Sequence, residues 1–203
     1  MPESERVHAV VLAAGAGSRF RDVGHKLAAR LPKTVWRPEE SVFDRSLAAV
    51  VAARIGPVTV VTGRLSAVDL GIADRTDVSC AHNVDWASGQ MTSVRAGLDA
   101  ATSDGADVVV IGLADQPGIE PDAWRAVADA ARSGARIAVA TYDGRRANPV
   151  ALHRDVWNLL PTTGDEGART LMRLRPDLVV EVPCTGSPED IDTVKDLTQW
   201  QNN

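Results

Sequence analysis

VHAVVLAAGAGSRFRDVGHKL, Val7 to Leu27, is the stretch on which the fold turns. Ala9 to Ala13 are apolar without interruption, as in a strand covered on both faces. The chain then turns through Gly15, Gly17 and Ser18, reaches Arg19, and seven residues later presents Lys26. A loop leaving a buried strand can bring several backbone N–H groups to one point, and glycines allow a ligand to approach closely. A helix that follows adds partial positive charge at its N-terminus. Arg19 and Lys26 add full charges, and a planar guanidinium can clamp a phosphate through two hydrogen bonds. Such a loop suits a triphosphate. At this point a plainer reading stays open: Gly-Ala-Gly as a tight strand–helix turn, with both cations solvated. The loop fits neither GxGxxG nor GxxxxGK followed by Ser or Thr, so neither a dinucleotide fold nor a P-loop is indicated.

Further along, short β-branched runs alternate with amphipathic patterns. Strands are expected at 8–13, 58–62 (VTVVT), 78–82 (VSCAH), 107–114 (DVVVIGLA), 136–141 (RIAVAT) and 178–182 (LVVEV), with 149–153 (PVALH) a shorter possibility. Between them, 41–56 reads as a helix capped by Ser41, with Asp44 three residues on and a stop at Gly56-Pro57. PDAWRAVADAARSG (121–134) places Trp124, Val127, Ala128 and Ala131 on one face. DEGARTLMRLRP (165–176) buries Ala168, Leu171 and Met172, and Thr92 to Ala101 is a further helix after Gly89. This alternation predicts a mostly parallel sheet with helices on both faces, and ligands beyond the carboxyl ends of its strands. The loops after Ala13, Leu113 and Thr141 are therefore where chemistry is expected.

The 203 residues suffice for one domain, 1–203, with polar tails at 1–6 and 201–203. A net charge of −5 without a basic block argues against general nucleic-acid binding, though not against one nucleotide. The polar, acidic start MPESERVH is no signal peptide, and no apolar run is long enough for a bilayer, so a cytoplasmic protein without a membrane partner is expected. Cys80 and Cys184 form no CxxC pair and are expected to be reduced core thiols. The four histidines share no metal-ligand spacing, and His25 has no visible partner.

Two acidic groups complete the constellation. In VVVIGLADQPGIEP an apolar strand ends in Asp115, at the predicted ligand edge, where a carboxylate can hold Mg²⁺; an Asp opening a turn before Pro117 is the equal alternative. In SPEDIDTVKDL, Asp190 and Asp192 fall on one side of an extended segment. Thr193 is read as a helix cap and Asp192 as functional. Trp124 and Trp157 are expected in the core. Trp86 is a candidate wall of the site, Trp36 a candidate contact with substrate or another subunit, and Arg145-Arg146 either face an anionic substrate or flank a solvated turn.

Together these pieces resemble the GT-A-like nucleotidyltransferases, and among them the molybdenum-cofactor nucleotidyltransferases of the cytidylyltransferase branch. LAAGAGSRF…GHKL is similar to the signature LAAGxGxRxG…K. NVDWASGQMTSVRAGL (83–98), GLADQP (112–117), RRANPVALHRDVW (145–157), GDEGAR (164–169) and DIDTVKDL (190–197) follow in the family's order, over essentially the whole chain. The resemblance implies a single-domain, Rossmann-like, three-layer α/β/α fold and transfer of a nucleoside monophosphate. It implies that Leu12, Ala13, Ala14, Gly15, Ala16, Gly17 and Ser18 hold the nucleotide, that Arg19 meets its phosphates, and that Lys26 stabilises charge at the α-phosphate. Gly89 and Ser93 fall on the base and ribose side. Asp115 and Asp192, with Asp190 secondary, match the metal positions for Mg²⁺ or Mn²⁺. Asn148, Pro149, Gly164, Asp165 and Arg169 match loops facing the second substrate. Departures are Phe20-Arg21 for the usual Met-Gly, a long polar link at 28–41, and Ala147 for a Gly.

The implied substrates are CTP, or another NTP, and the molybdenum-pterin cofactor, with a molybdoenzyme or its maturation chaperone as recipient. GTP, a different small phosphate acceptor, or a non-catalytic nucleotide or cofactor carrier are the alternatives.

Overall fold

The structure, a computed structural model, describes residues 5–20, 24–31 and 39–201. Trp36, Arg21 and half of the polar link at 28–41 lie outside them, as do the outer ends of both tails. The strands are β1 (Val7–Ala13), β2 (Arg30–Leu31), β3 (Glu40–Ser41), β4 (Val58–Thr62), β5 (Ser79–His82), β6 (Val108–Leu113), β7 (Ile137–Tyr142), β8 (Arg145–His153) and β9 (Val179–Pro183). The helices are α1 (Val42–Ala53), α2 (Gln90–Ser103), α3 (Pro121–Arg132), α4 (Arg169–Leu174) and α5 (Val194–Gln201). Seven strands form one sheet in the order β5-β4-β1-β6-β8-β7-β9, while β2 and β3 pair separately. Every neighbour pair in the large sheet is parallel except those of β8, which runs against both β6 and β7.

Chain direction explains the layers. Successive side chains along a strand point to opposite faces of the sheet, so Val7, Ala9, Val11 and Ala13 pack with Phe43, Leu47 and Val50 of α1 and Trp124 and Val127 of α3. Val10 and Leu12 face the other way, onto Met91, Val94 and Leu98 of α2 and Leu171 and Met172 of α4. The unbroken apolar run of β1 is thus buried twice over, as a central parallel strand requires. The expected mostly parallel, three-layer α/β/α fold is the one observed.

Two local features position the site. Ser41 caps α1 in a complete capping box: its hydroxyl accepts from the Asp44 N–H, and the Asp44 carboxylate accepts from the Ser41 N–H. A third apolar cluster, Phe20, Leu31, Val42 and Ile191, lies under α5 and ties the end of the first loop to the segment carrying Asp192. The ring of Trp200 on α5 lies 5.5 Å from the guanidinium of Arg45 on α1, a cation–π contact on the same side.

The structure also corrects several expectations. The short strand at 149–153 is the second half of β8, which begins at Arg145 and forms a hairpin with β7. Asp143 and Gly144 both have positive φ (50° and 75°), the two-residue turn whose twist matches the flanking strands. Val139 pairs with Val150 but Ala140 with Ala147, so Asn148 and Pro149, joined by a cis peptide bond, sit in a bulge outside the ladder. The helix expected over 165–176 is only Arg169–Leu174, leaving Asp165 to Ala168 in a loop, with Ala168 half-buried. Cys80 is exposed on the edge strand β5 and Cys184 is half-buried; both are free thiols, and neither is a core residue. Trp157 lies in a 3₁₀ turn, half-buried, its indole N–H donating to the Leu152 carbonyl at 3.0 Å. Among the described residues no helix is long and apolar enough to cross a membrane.

Candidate active site

From β1 the chain passes to β4 on one side and later to β6 on the other, so the strand order reverses at β1. Ligands in open α/β sheets sit at such a point, beyond the carboxyl ends of the strands. The loop Ala14–Ser18 leaves β1 there, and Asp115 follows β6 two residues after its last strand position. Ile191 returns to the same edge, its N–H donating to the Asp115 carbonyl at 2.9 Å.

Lys26, Asp115, Asp192 and Arg19 converge. The Lys26 Nζ donates to Asp115 Oδ2 and to Asp192 Oδ1, each at 2.5 Å, and Arg19 Nη1 donates to Asp192 Oδ2 at 2.8 Å. The Lys26 and Asp115 side chains are only 15% and 13% exposed, whereas Arg19 reaches into solvent. Burial disfavours the Lys26 ammonium, but Asp115 and then Asp192 outweigh it and hold its pKa above the usual value. Burial works against the Asp192 carboxylate too, yet Lys26 and Arg19 keep its pKa low. Asp190 is pushed up to about 6, first by burial and then by the charges of Asp115 and Asp192.

Negative charge is therefore in excess at this edge, and Asp115 Oδ1 is a buried carboxylate oxygen without a hydrogen-bond partner. These residues fit a divalent cation. Among the described residues no group of three or more His, Cys, Asp or Glu side chains forms a ready-made cage. One or two carboxylates completed by substrate phosphates and water is how Mg²⁺ is commonly held.

Two cavities open beside this cluster. The first, about 370 Å³, is walled by Ala13, Ala14, Gly15 and Ala16 of the loop, by Lys26 and Asp115, and by Trp86, Gly89, Ser93 and Asp165. The second, about 310 Å³, has an apolar floor of Ile111, Val139, Val150 and Met172, with Asn148, Arg146, Arg169 and Arg173 around it. Leu12, Gln90 and Leu113 belong to both, so the cavities adjoin. Arg146 also pairs with Glu181 at 2.7 Å, and Arg173 with Glu166 at 3.0 Å.

The expected site residues divide between these spaces. Leu12 to Ala16, Gly89 and Ser93 line the first. Ser93 is buried and its hydroxyl oxygen accepts from Asn83 Nδ2 at 2.9 Å, which leaves its own proton for a ligand. Gly17 and Ser18 stand outside the walls, Gly17 in the left-handed region with φ 59°. Asn148 and Arg169 line the second cavity; Pro149 lines neither. Asp165, expected toward a second substrate, is instead a wall of the first cavity, because its Oδ1 accepts from the Gln90 N–H at 3.2 Å and the Gly164 carbonyl from the Met91 N–H at 3.0 Å, capping α2. A Cβ on Gly89 would come within 2.9 Å of that carboxylate oxygen, so only glycine fits there.

Sequence reading missed three residues. Gln116, 4% exposed, receives a hydrogen bond from Asn148 Nδ2 (2.9 Å) and donates to the Pro188 carbonyl (2.8 Å), joining both sides of the edge. Gln90 is shared by the cavities. His25 braces the loop, and the signal lay in the glycines opposite it.

The same fold recurs in nucleotidyltransferases of known structure. A nucleotidyl transferase from Methanothermobacter superposes with a TM-score of 0.78, at 23% identity over 97% of this chain and 96% of that one. Rv0371c from Mycobacterium tuberculosis H37Rv, in complex with manganese, gives 0.74 at 21% identity over 98% and 99%. Both define the fold, a GT-A-like nucleotidyltransferase. Within that class the chain belongs to the MobA-like NTP transferase domain family, whose model matches residues 9–180, and it is a nucleotidyltransferase. It is 30% identical over 202 residues, 94% of each chain, to nicotine blue oxidoreductase of Paenarthrobacter nicotinovorans. It is 35% identical over 113 residues, 54% of each chain, to the purine catabolism protein PucB of Bacillus subtilis. Those names describe those two proteins.

Proposed function

We propose that this enzyme transfers a nucleoside monophosphate, from CTP by preference, to the phosphate of the molybdenum-pterin cofactor and releases pyrophosphate. The observation that carries the reading is the pair of adjoining cavities, one walled by the Gly-rich loop and Lys26, the other apolar-floored with arginines at its rim. The first suits a nucleoside triphosphate. The second suits a flat, anionic heterocycle, whose phosphate then meets the α-phosphorus across the shared wall. An acceptor oxygen attacks that phosphorus in line, the new P–O bond forms as the α–β bridge breaks, and the pyrophosphate leaves with both electrons. The attacking phosphate is ionised near neutrality, so no general base is needed.

Positioning and charge neutralisation supply most of the catalysis in such chemistry. Ala13 to Ala16 line the space for the triphosphate, Gly17 and Ser18 carry the loop onward, and the exposed Arg19, paired with Asp192, meets its phosphates. Lys26, released from the carboxylates, offers its ammonium to charge developing on the α-phosphate. Asp115 and Asp192, with Asp190 behind them, would hold a divalent cation, Mg²⁺ or Mn²⁺, which when bound supplies charge neutralisation of the leaving pyrophosphate. Asn148 and Arg169 face the acceptor, and Gly164 fixes the loop that carries Asp165. The CTP preference rests on the resemblance, chiefly of LADQP and GDEGAR. A molybdoenzyme or its maturation chaperone would take the product.

The test is pyrophosphate release with purified protein, Mg²⁺ and molybdenum-loaded pterin cofactor, comparing CTP, GTP, ATP and UTP. Release with CTP alone, with a cytosine dinucleotide in the product's mass spectrum, is the expected result. A GTP preference would move the enzyme to the guanylyl branch. Release only with a different phosphorylated acceptor would replace the cofactor, and nucleotide binding without any release would leave a carrier.

A further inference from the structure

We propose that His25 is a positioning residue that sets the spacing between the Gly-rich loop and Lys26. This rests on the nucleotidyl-transfer reading above. The imidazole makes two hydrogen bonds in opposite directions. Its Nδ1 accepts from the Leu27 N–H at 3.3 Å, which caps the short 3₁₀ turn Lys26–Ala28. Its Nε2 is 3.1 Å from the Gly15 carbonyl, and since Nδ1 is already an acceptor, Nε2 carries the proton and donates. One ring thus spans from the loop to the turn that begins with Lys26.

The loop is built to receive that ring. Gly17 has φ 59°, and a Cβ there would lie 2.7 Å from the imidazole Cδ2 and Nε2. The ring occupies the space a side chain on residue 17 would need. His25 itself is outside the wall of the first cavity, which includes Gly15, Ala16 and Lys26. It acts from behind, holding the Gly15 carbonyl while the loop and Lys26 line the space in front.

Only the neutral ring can make both bonds, and its surroundings favour that form: burial disfavours the imidazolium, the Gly15 carbonyl partly offsets this, and the nearby charges of Lys26 and Arg64 oppose a further cation.

Two substitutions separate the bonds. In His25→Asn the side-chain oxygen can still cap the Lys26 turn but nothing reaches the Gly15 carbonyl. In His25→Gln the longer amide regains that reach. The expected results are a roughly tenfold weaker binding of Mg²⁺–CTP and a raised KM for CTP in His25→Asn, the scale of one lost hydrogen bond, with the acceptor KM and melting temperature unmoved, and recovery in His25→Gln. ¹⁵N NMR of the wild type should show one imidazole protonated on Nε2 at neutral pH, absent from either variant. Wild-type-like CTP binding in His25→Asn would overturn the role, as would a proton on Nδ1. Losses in both variants together with a lowered melting temperature would make His25 merely structural, which also overturns it. Failure of the wild type to bind any triphosphate would remove the nucleotidyl-transfer reading first, and this role with it.

Discussion

Lys26 is the residue on which two carboxylates depend, since its one ammonium reaches both Asp115 and Asp192 at 2.5 Å. Lys26→Ala and Asp115→Asn should each lower turnover by about 10²–10³, the usual cost of losing an aimed electrostatic group, with circular dichroism unchanged. Wild-type rates in either would show that chemistry happens elsewhere. Far from this edge, at the start of β1, His8 is 1% exposed and its Nε2 lies 2.8 Å from Thr59 Oγ1. Burial lowers its pKa, and Asp104 only partly restores it. The unfolded chain, titrating near 6.5, therefore takes up a proton that the folded chain refuses, so stability present above about pH 6.5 falls as pH drops below it. Melting temperatures between pH 7.5 and 5 should decline in the wild type and decline less steeply in His8→Gln. The convergence of side chains was legible in sequence where a type and a place coincide, as for Lys26, Asp115 and Asp192. It was not where a side chain works through a carbonyl, as His25 does, because nothing in a pattern of letters shows which backbone oxygen lies nearby.

Elements were legible in proportion to their periodicity. The unbroken runs of β1, β4 and β6 and the Ser41 cap of α1 lie where patterning put them. The β7–β8 hairpin carries its own signal, Asp143-Gly144 between two strands, but the parallel pattern of the rest hides an antiparallel return, so the pattern alone leaves Arg145-Arg146 equally facing a substrate or flanking a solvated turn. That return brings the beginning of β8, rather than its end, to the ligand edge, which is why Arg146 to Asn148 line the second cavity. Phe20, noted as a departure from the family pattern, is an anchor: it packs with Ile191 and so couples the loop end to Asp192. Phe20→Ala should cost about 3 kcal/mol in denaturant unfolding and weaken triphosphate binding, whereas Ser41→Ala should cost about 1 kcal/mol and leave turnover intact. Equal effects of the two on turnover would contradict the coupling.

For the whole molecule, one sheet carries both flanking cores, so we infer a single domain that unfolds in one transition in denaturant. Because Lys26 bridges Asp115 and Asp192 and Arg19 pairs with Asp192 when no cation is bound, chelation with EDTA should stop turnover while leaving the melting temperature unchanged; a large drop would indicate a structural metal instead. The loop after β1, the carboxylate after β6 and the returning segment before α5 come from distant parts of the chain and meet at a single edge. Their meeting is what the nucleotidyl-transfer reading needs. It is best judged by single-turnover transfer of label from α-³²P CTP to the molybdenum-pterin acceptor, in wild type and in Lys26→Met. Labelled dinucleotide formed by the wild type and suppressed by about 10²–10³ in the variant is the predicted result, with the acceptor still bound by both. Label transferred equally by both would contradict it.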